Sequence, residues 1–166
     1  MTTEELNELA AKLMVLAKQN LIDDGDLMPI VILIVNGQID KVIGLQFDRN
    51  TKRPAYREVE KMIAETKPEA LLLINDAYVK NVAFADEATL QRCMKHGISK
   101  EPDRGEAIMV TISPRFGGDS ALQQRYHHED EAIIWDGEPQ YLDGFENNLL
   151  PEVWKRRPSK AEAVMN

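Results

Sequence analysis

Three groups of side chains in this sequence are of types that could do chemistry. The first comprises Asp76 and Tyr78 on a predicted third strand, with Arg104 and Glu106 leading into a fourth. An acid within an apolar strand needs a partner once it is buried, and Arg104 is the expected partner if the two strands are neighbours. The group is predicted to be either a polar catalytic site at the rim of a cleft or a structural ion pair, and we favour the ion pair.

The second group is Cys93 and His96, whose spacing places both side chains on one face of a helix. A thiol beside an imidazole is the arrangement of a cysteine nucleophile with its base, and the pair could also supply half of a zinc site. The structural alternative, which we favour, makes Cys93 a small buried residue and His96 a cation at a helix C-terminus.

The third group is His127 and His128, which precede the acidic run Glu129-Asp130-Glu131. Imidazole and carboxylate are metal ligands, but adjacent strand residues point to opposite faces, so at most one histidine can face a given site. We therefore favour a polar strand end and predict no cofactor, with His127 and His128 as the remaining candidates for a metal site. The sequence also lacks a glycine-rich phosphate loop and the common hydrolase motifs.

The elements that position these groups begin with a hairpin. Asn36-Gly37 separates two apolar runs, residues 30–35 and 38–47, and it favours a type I′ turn because both residues accept positive φ. A two-residue loop predicts that Ile32 faces Lys41. The second strand is then half buried, through a face that includes Ile39, Ile43, Leu45 and Phe47.

The first strand is apolar on both faces, as are residues 70–74 and 107–112, so these strands are predicted to be central and covered on both sides. Two main helices, residues 2–22 and one with Pro54 at its first position, are expected to cover one face. A C-terminal segment or a second copy of the chain would cover the other. The prediction is an α+β fold, with a mostly antiparallel sheet of five or more strands, in the order α-β-β-α-β-(α)-β-β-β.

Residues 1–150 are predicted to form a single α+β domain, and residues 151–166 a flexible C-terminal tail that Trp154 could anchor. The third strand is expected over residues 70–82 with a bend near Asn75-Asp76, and residues 98–104 are expected to be an exposed loop.

The chain carries a net charge of −8, which argues against nucleic-acid binding, since that depends on Lys and Arg. No Lys or Arg lies between Arg125 and Lys155, where eight acidic residues could attract a basic protein partner or simply be solvated. A single cysteine, an acidic N-terminus and short apolar runs predict a cytoplasmic protein without membrane contact.

Two short motifs carry a resemblance, Asn75-Asp76-Ala77-Tyr78 and Pro102-Asp103-Arg104-Gly105-Glu106-Ala107. Over residues 28–113 the layout is similar to that of a group of small, uncharacterised microbial α+β proteins. That group has no assigned activity, so the resemblance implies a fold and no function.

The leading functional hypothesis from the sequence is a non-enzymatic binding or assembly module that self-associates, as a homodimer joined through an apolar sheet face. The alternative is a small hydrolase-type enzyme, with its site near Asp76, Arg104 and Glu106, or at Cys93 and His96, or at a His/carboxylate metal centre.

Overall fold

The structure is a computed structural model that describes residues 1–45, 52–80, 82–83, 85–144, 147 and 149–157. Four helices and seven strands lie within these residues. In chain order they are α1 (Thr3–Asp24), β1 (Ile30–Val35), β2 (Gln38–Gly44), α2 (Lys52–Thr66), β3 (Ala70–Val79), α3 (Glu87–His96), β4 (Gly105–Pro114), β5 (Ser120–Glu129), β6 (Ala132–Trp135), β7 (Gln140–Asp143) and α4 (Glu152–Lys155).

The described strands form one sheet in the order β2-β1-β3-β4-β5-β6, with β7 also paired to β5. Every pairing is antiparallel. The predicted α+β class, with a mostly antiparallel sheet of five or more strands, is therefore confirmed. The strand β7 and the short helix α4 are additions to the predicted order.

The hairpin turn has the predicted backbone, because Asn36 and Gly37 have φ of 52° and 74°. A β-bulge then shifts the register, so that Ile32 faces Val42 and the predicted pair of Ile32 with Lys41 is wrong. The strand β2 is mostly exposed rather than half buried, because α1 packs over β3, β4 and β5 and not over this edge. Phe47 lies outside the described residues.

Each face of the sheet has its own helical cover. The side chains of Ile32 and Leu33 point to opposite faces and are both buried, at 2% and 0% exposure. The apolar face of α1 covers the Ile32 side, and α2 with Trp154 covers the Leu33 side. The expectation that both main helices share one face is therefore wrong: strands that are apolar on both faces need a cover on each. The homodimer was inferred from an uncovered face, and it stays a prediction without that support.

The segment after Leu150 packs against the sheet as far as Arg157. Trp154 is 3% exposed, and its indole nitrogen donates a 2.8 Å hydrogen bond to the hydroxyl of Ser113. The guanidinium of Arg157 donates to Asp119 at 2.5 Å and to the carbonyl of Pro114 at 2.9 Å. Trp154 thus anchors this segment to the body of the protein.

Three local predictions are corrected. The strand β3 ends at Val79 and pairs with β4 without a bend at Asn75-Asp76, since each of its residues faces a partner in β4. The helix α2 begins two residues before Pro54, so the proline lies within the first turn and not at the first helical position. The first turn tolerates proline because the N–H groups there have no acceptor within the helix. Glu101, expected in an exposed loop, is 5% exposed.

None of the helices in the described part of the chain is both long enough and apolar enough to cross a membrane.

Candidate functional site

Three neighbouring strands bring acidic and phenolic side chains together at one end of the sheet. Glu106 on β4 lies opposite Tyr78 on β3 and opposite Tyr126 on β5. Because side chains alternate along a strand, Asp76 points to the same face as these residues. This is the face that α1 covers, and the loop after α1 lies at the same end of the sheet.

The central contact of the site joins Tyr126 to Asp76. The hydroxyl of Tyr126, a residue that is 1% exposed, donates a 2.7 Å hydrogen bond to Oδ2 of Asp76. The other oxygen, Oδ1, is buried and accepts no hydrogen bond from the described residues. Asp76 is therefore a carboxylate with only one of its two oxygens satisfied.

The environment of Asp76 disfavours its charged form. Burial is the largest cause and raises the pKa of Asp76, the negative charge of Glu106 raises it further, and the bond from Tyr126 offsets part of the rise. Burial, followed by the nearby carboxylates of Asp76 and Glu106, also raises the pKa of the Tyr126 hydroxyl. A positive charge placed here would favour the ionised form of Asp76.

The side chains of this group line a pocket of about 260 Å³. The lining residues are Asp26, Leu27, Asp76, Ala77, Tyr78 and Glu106. The helix α1 ends beside the pocket, with no basic residue in its last turn, so the partial negative charge of the helix C-terminus adds to the three carboxylates. We refer to this space as the acidic pocket.

The predicted ion pair between Asp76 and Arg104 is wrong. Asp76 lies opposite Ile108, whereas Arg104 precedes the first residue of β4. The guanidinium of Arg104 instead lies 4.7 Å above the ring of Tyr78 and donates to the carbonyl of Glu101 at 3.2 Å. Of the four residues in this group, the structure brings Asp76, Tyr78 and Glu106 together and leaves Arg104 outside the pocket lining.

Cys93 belongs to a different cluster, around Glu101. Its sulfur lies 3.3 Å from Oε1 of Glu101. The same oxygen forms ion pairs with the guanidinium of Arg92 at 3.0 Å and with the ammonium of Lys80 at 3.5 Å. Hydrogen bonds from Arg92 are the largest cause that lowers the pKa of Glu101 to about 2. Burial, and then Glu101, raise the pKa of the Cys93 thiol, which is the opposite of an activated nucleophile. His96 is exposed and is not among the described hydrogen-bond partners of Cys93.

The two adjacent histidines have different surroundings. The imidazole of His127 lies between Asp136 at 2.7 Å and Glu129 at 3.0 Å. Hydrogen bonds that the ring nitrogens donate to these carboxylates, the one to Glu129 first, raise the pKa of His127. The ring of His128 packs edge-on against Tyr126, with 5.7 Å between ring centroids. Among the residues that the structure describes, no group of three or more His, Cys, Asp or Glu side chains is arranged to hold a metal ion.

Sequence reasoning did not identify Tyr126 or Asp26 as members of the site. The available signal for Tyr126 was its place in a predicted strand, because a buried tyrosine hydroxyl normally has a hydrogen-bond partner. Choosing Asp76 as that partner requires the strand order, which the sequence did not provide.

No protein-family model, curated protein sequence or solved structure matches this chain. What the chain presents is an α+β protein with a carboxylate-lined pocket, and the resemblance to a group of small microbial proteins stays a prediction.

Proposed function

We propose that this protein is a non-enzymatic binding module whose acidic pocket receives a small organic cation, an ammonium or guanidinium group. The observation that carries the proposal is the buried, unpaired Oδ1 of Asp76, which lies beside the second carboxylate of Glu106.

An unsatisfied buried acceptor costs about 1–3 kcal/mol, and more when it is charged. Oδ1 itself is closed to solvent, so a cationic ligand group in the pocket would offset this cost through its charge. Its positive charge would also oppose the repulsion between Asp76 and Glu106, which raises the pKa of Asp76. A cationic group is therefore the ligand chemistry that best complements the pocket.

The size of the pocket supports an organic group over a single ion. A volume of about 260 Å³ is several times the ~30 Å³ that one water occupies in the liquid, and it is near the lower end of ligand pockets, about 300 Å³. The acidic residues Asp26, Asp76 and Glu106 line this space from the loop after α1, from β3 and from β4. An alkylammonium or alkylguanidinium group of a few heavy atoms fits these dimensions.

The cation can be a free amine or a side chain of a basic protein. The strand β5 continues from Tyr126 to Glu129 and then turns through Asp130 and Glu131 into β6. These acidic residues extend the negative surface past the pocket, as a basic partner requires. The two sources predict different salt dependence. Binding of a basic protein should weaken more steeply with salt, because it also uses exposed charges, which are screened beyond about 10 Å at 0.1 M salt.

A small hydrolase-type enzyme is the second candidate, because the pKa of Asp76 is raised, as that of a general acid is. In this version Asp76 would transfer the proton and Tyr126 would position its carboxyl group. Arg104 has no place in the mechanism, since it lies above Tyr78 and not in the pocket.

Calorimetric titration with butylamine, butylguanidine and a lysine-rich peptide tests the proposal, with butanol and butyrate as uncharged and anionic controls. We expect the cations to bind and the controls not to bind. Asp76→Asn and Glu106→Gln should each weaken cation binding about tenfold or more. The matched control is Glu58→Gln at an exposed position of α2, which removes one negative charge outside the pocket lining.

Equal affinity for butylamine and butanol, or equal losses in Asp76→Asn and Glu58→Gln, would overturn the proposal. Binding of the peptide alone, weakened steeply by salt, would identify a basic protein as the source of the cation. Hydrolysis of a model ester that Asp76→Asn abolishes would favour the enzyme instead.

A further inference from the structure

We propose that a larger cavity at the opposite end of α1 is a second binding site, which takes a small carboxylate carrying an apolar group. The cavity has a volume of about 560 Å³, within the range of about 300–1,000 Å³ typical of ligand pockets. It lies where α1 begins, next to the β1–β2 turn and the end of β4. We call it the basic cavity.

The lining of the basic cavity combines apolar surface with two cations. Leu6, Val35 and Phe116 contribute apolar groups, and Lys67 and Arg115 contribute positive charge. The guanidinium of Arg115 lies 5.4 Å above the ring of Phe116, so charge and aromatic surface are adjacent. This composition suits an anion with an apolar body.

The positive charges of the cavity are not neutralised by the carboxylates that the structure describes. Neither Lys67 nor Arg115 is within ion-pair distance of a described Asp or Glu, whereas Lys80, Arg92 and Arg157 are. Glu69 also lines the cavity, but one of its carboxylate oxygens accepts from the backbone N–H of Gly37 and the other from the amine of Met1 at 2.8 Å. The two cations of the basic cavity are therefore available to a bound anion.

The backbone of Lys67 supplies an independent observation. Lys67 follows the last residue of α2, its N–H donates to the carbonyl of Ile63 at 2.9 Å, and its φ is 49°. This position at the end of a helix normally holds glycine, because a side chain is unfavourable in the left-handed region. The following residue, Pro68, restricts Lys67 further. A lysine held in this conformation is explained if its ammonium group is used by the cavity.

The test is calorimetric titration of the protein with hexanoate and 3-phenylpropanoate. Hexanol and 3-phenylpropanol serve as uncharged controls, and acetate as the control without an apolar body. We expect both long carboxylates to bind, and the alcohols and acetate to bind at least about tenfold more weakly.

Lys67→Gly separates a binding role from a structural one. It should raise the melting temperature by about 2–4 °C, because it relieves the left-handed conformation, and weaken hexanoate binding about tenfold. Arg115→Gln should weaken binding similarly. Lys61→Gln on the exposed side of α2 is the control for the loss of one positive charge and should leave the affinity unchanged.

The proposal is overturned if Lys67→Gly keeps the parent affinity, if it lowers the melting temperature, or if hexanol binds as well as hexanoate. Asp76→Asn should not alter hexanoate binding, since the two cavities lie at opposite ends of α1. Failure of cation binding at the acidic pocket and failure of carboxylate binding here are therefore distinguishable.

Discussion

The hydroxyl of Tyr126 reaches Asp76 across the intervening strand β4 and donates a 2.7 Å hydrogen bond to it. The bond links β5 to β3, two strands that do not pair with each other. It also holds the carboxylate of Asp76 in an orientation that leaves Oδ1 unpaired. The same contact thus contributes to the fold and to the polarity of the acidic pocket.

Asp76→Asn is expected to stabilise the protein at neutral pH. The folded-state pKa of Asp76 lies above its ordinary value of 3.8, so the folded protein binds this proton more tightly than the unfolded chain does. The free energy of unfolding therefore falls as pH rises from 3.8 through the folded-state pKa. Asparagine does not titrate, so the gain should be largest near pH 7 and should disappear below about pH 3.8. Urea unfolding at several pH values measures this, and a gain independent of pH would contradict it.

Tyr126→Phe is expected to destabilise the protein by about 1.5–3 kcal/mol at pH 7, because it removes a hydrogen bond to a partly buried, charged carboxylate. It should also raise the pKa of Asp76 further, since the hydrogen bond from Tyr126 lowers that pKa. Combining Tyr126→Phe with Asp76→Asn in a double-mutant cycle measures the coupling. Additive effects of the two substitutions would show that the bond carries no energy of its own.

Glu101→Gln should lower the melting temperature at pH 7, because Arg92 and Lys80 lose their shared carboxylate. The pKa of Glu101 is lowered from 4.5 to about 2, so its stabilising effect is present above pH 4.5 and is lost as pH falls towards 2. The difference in melting temperature between parent and variant should therefore shrink over this interval. A difference that stays constant from pH 7 to pH 2 would refute this account, and Glu138→Gln is an exposed control.

Trp154→Ala should destabilise the protein by about 3–5 kcal/mol, as expected for removal of a buried aromatic side chain. Trp154→Phe keeps most of the apolar surface and loses only the hydrogen bond to Ser113, so it should cost about 1–2 kcal/mol. Chemical denaturation of both variants measures these costs. Equal costs would mean that the hydrogen bond, rather than apolar packing, holds this segment in place.

Part of the fold could be predicted because it depends on neighbours in the chain. Asn36-Gly37 specifies its turn through the φ preferences of two residues, and the apolar character of both faces of β1 requires burial on both sides. The β-bulge that shifts the register between Leu33 and Ile34 could not be predicted from the same pattern. One extra residue in a strand changes every later pairing without changing the local composition.

The candidate site was also only partly predictable from the sequence. The sequence by itself identified Asp76 and Glu106, because an acid within an apolar strand stands out from its neighbours. Only the tertiary structure decided that Tyr126, 50 residues away, and not Arg104, donates to Asp76. Turns and side-chain alternation follow from short-range sterics, whereas the partner of a buried charge depends on which distant strands pair and on what covers them.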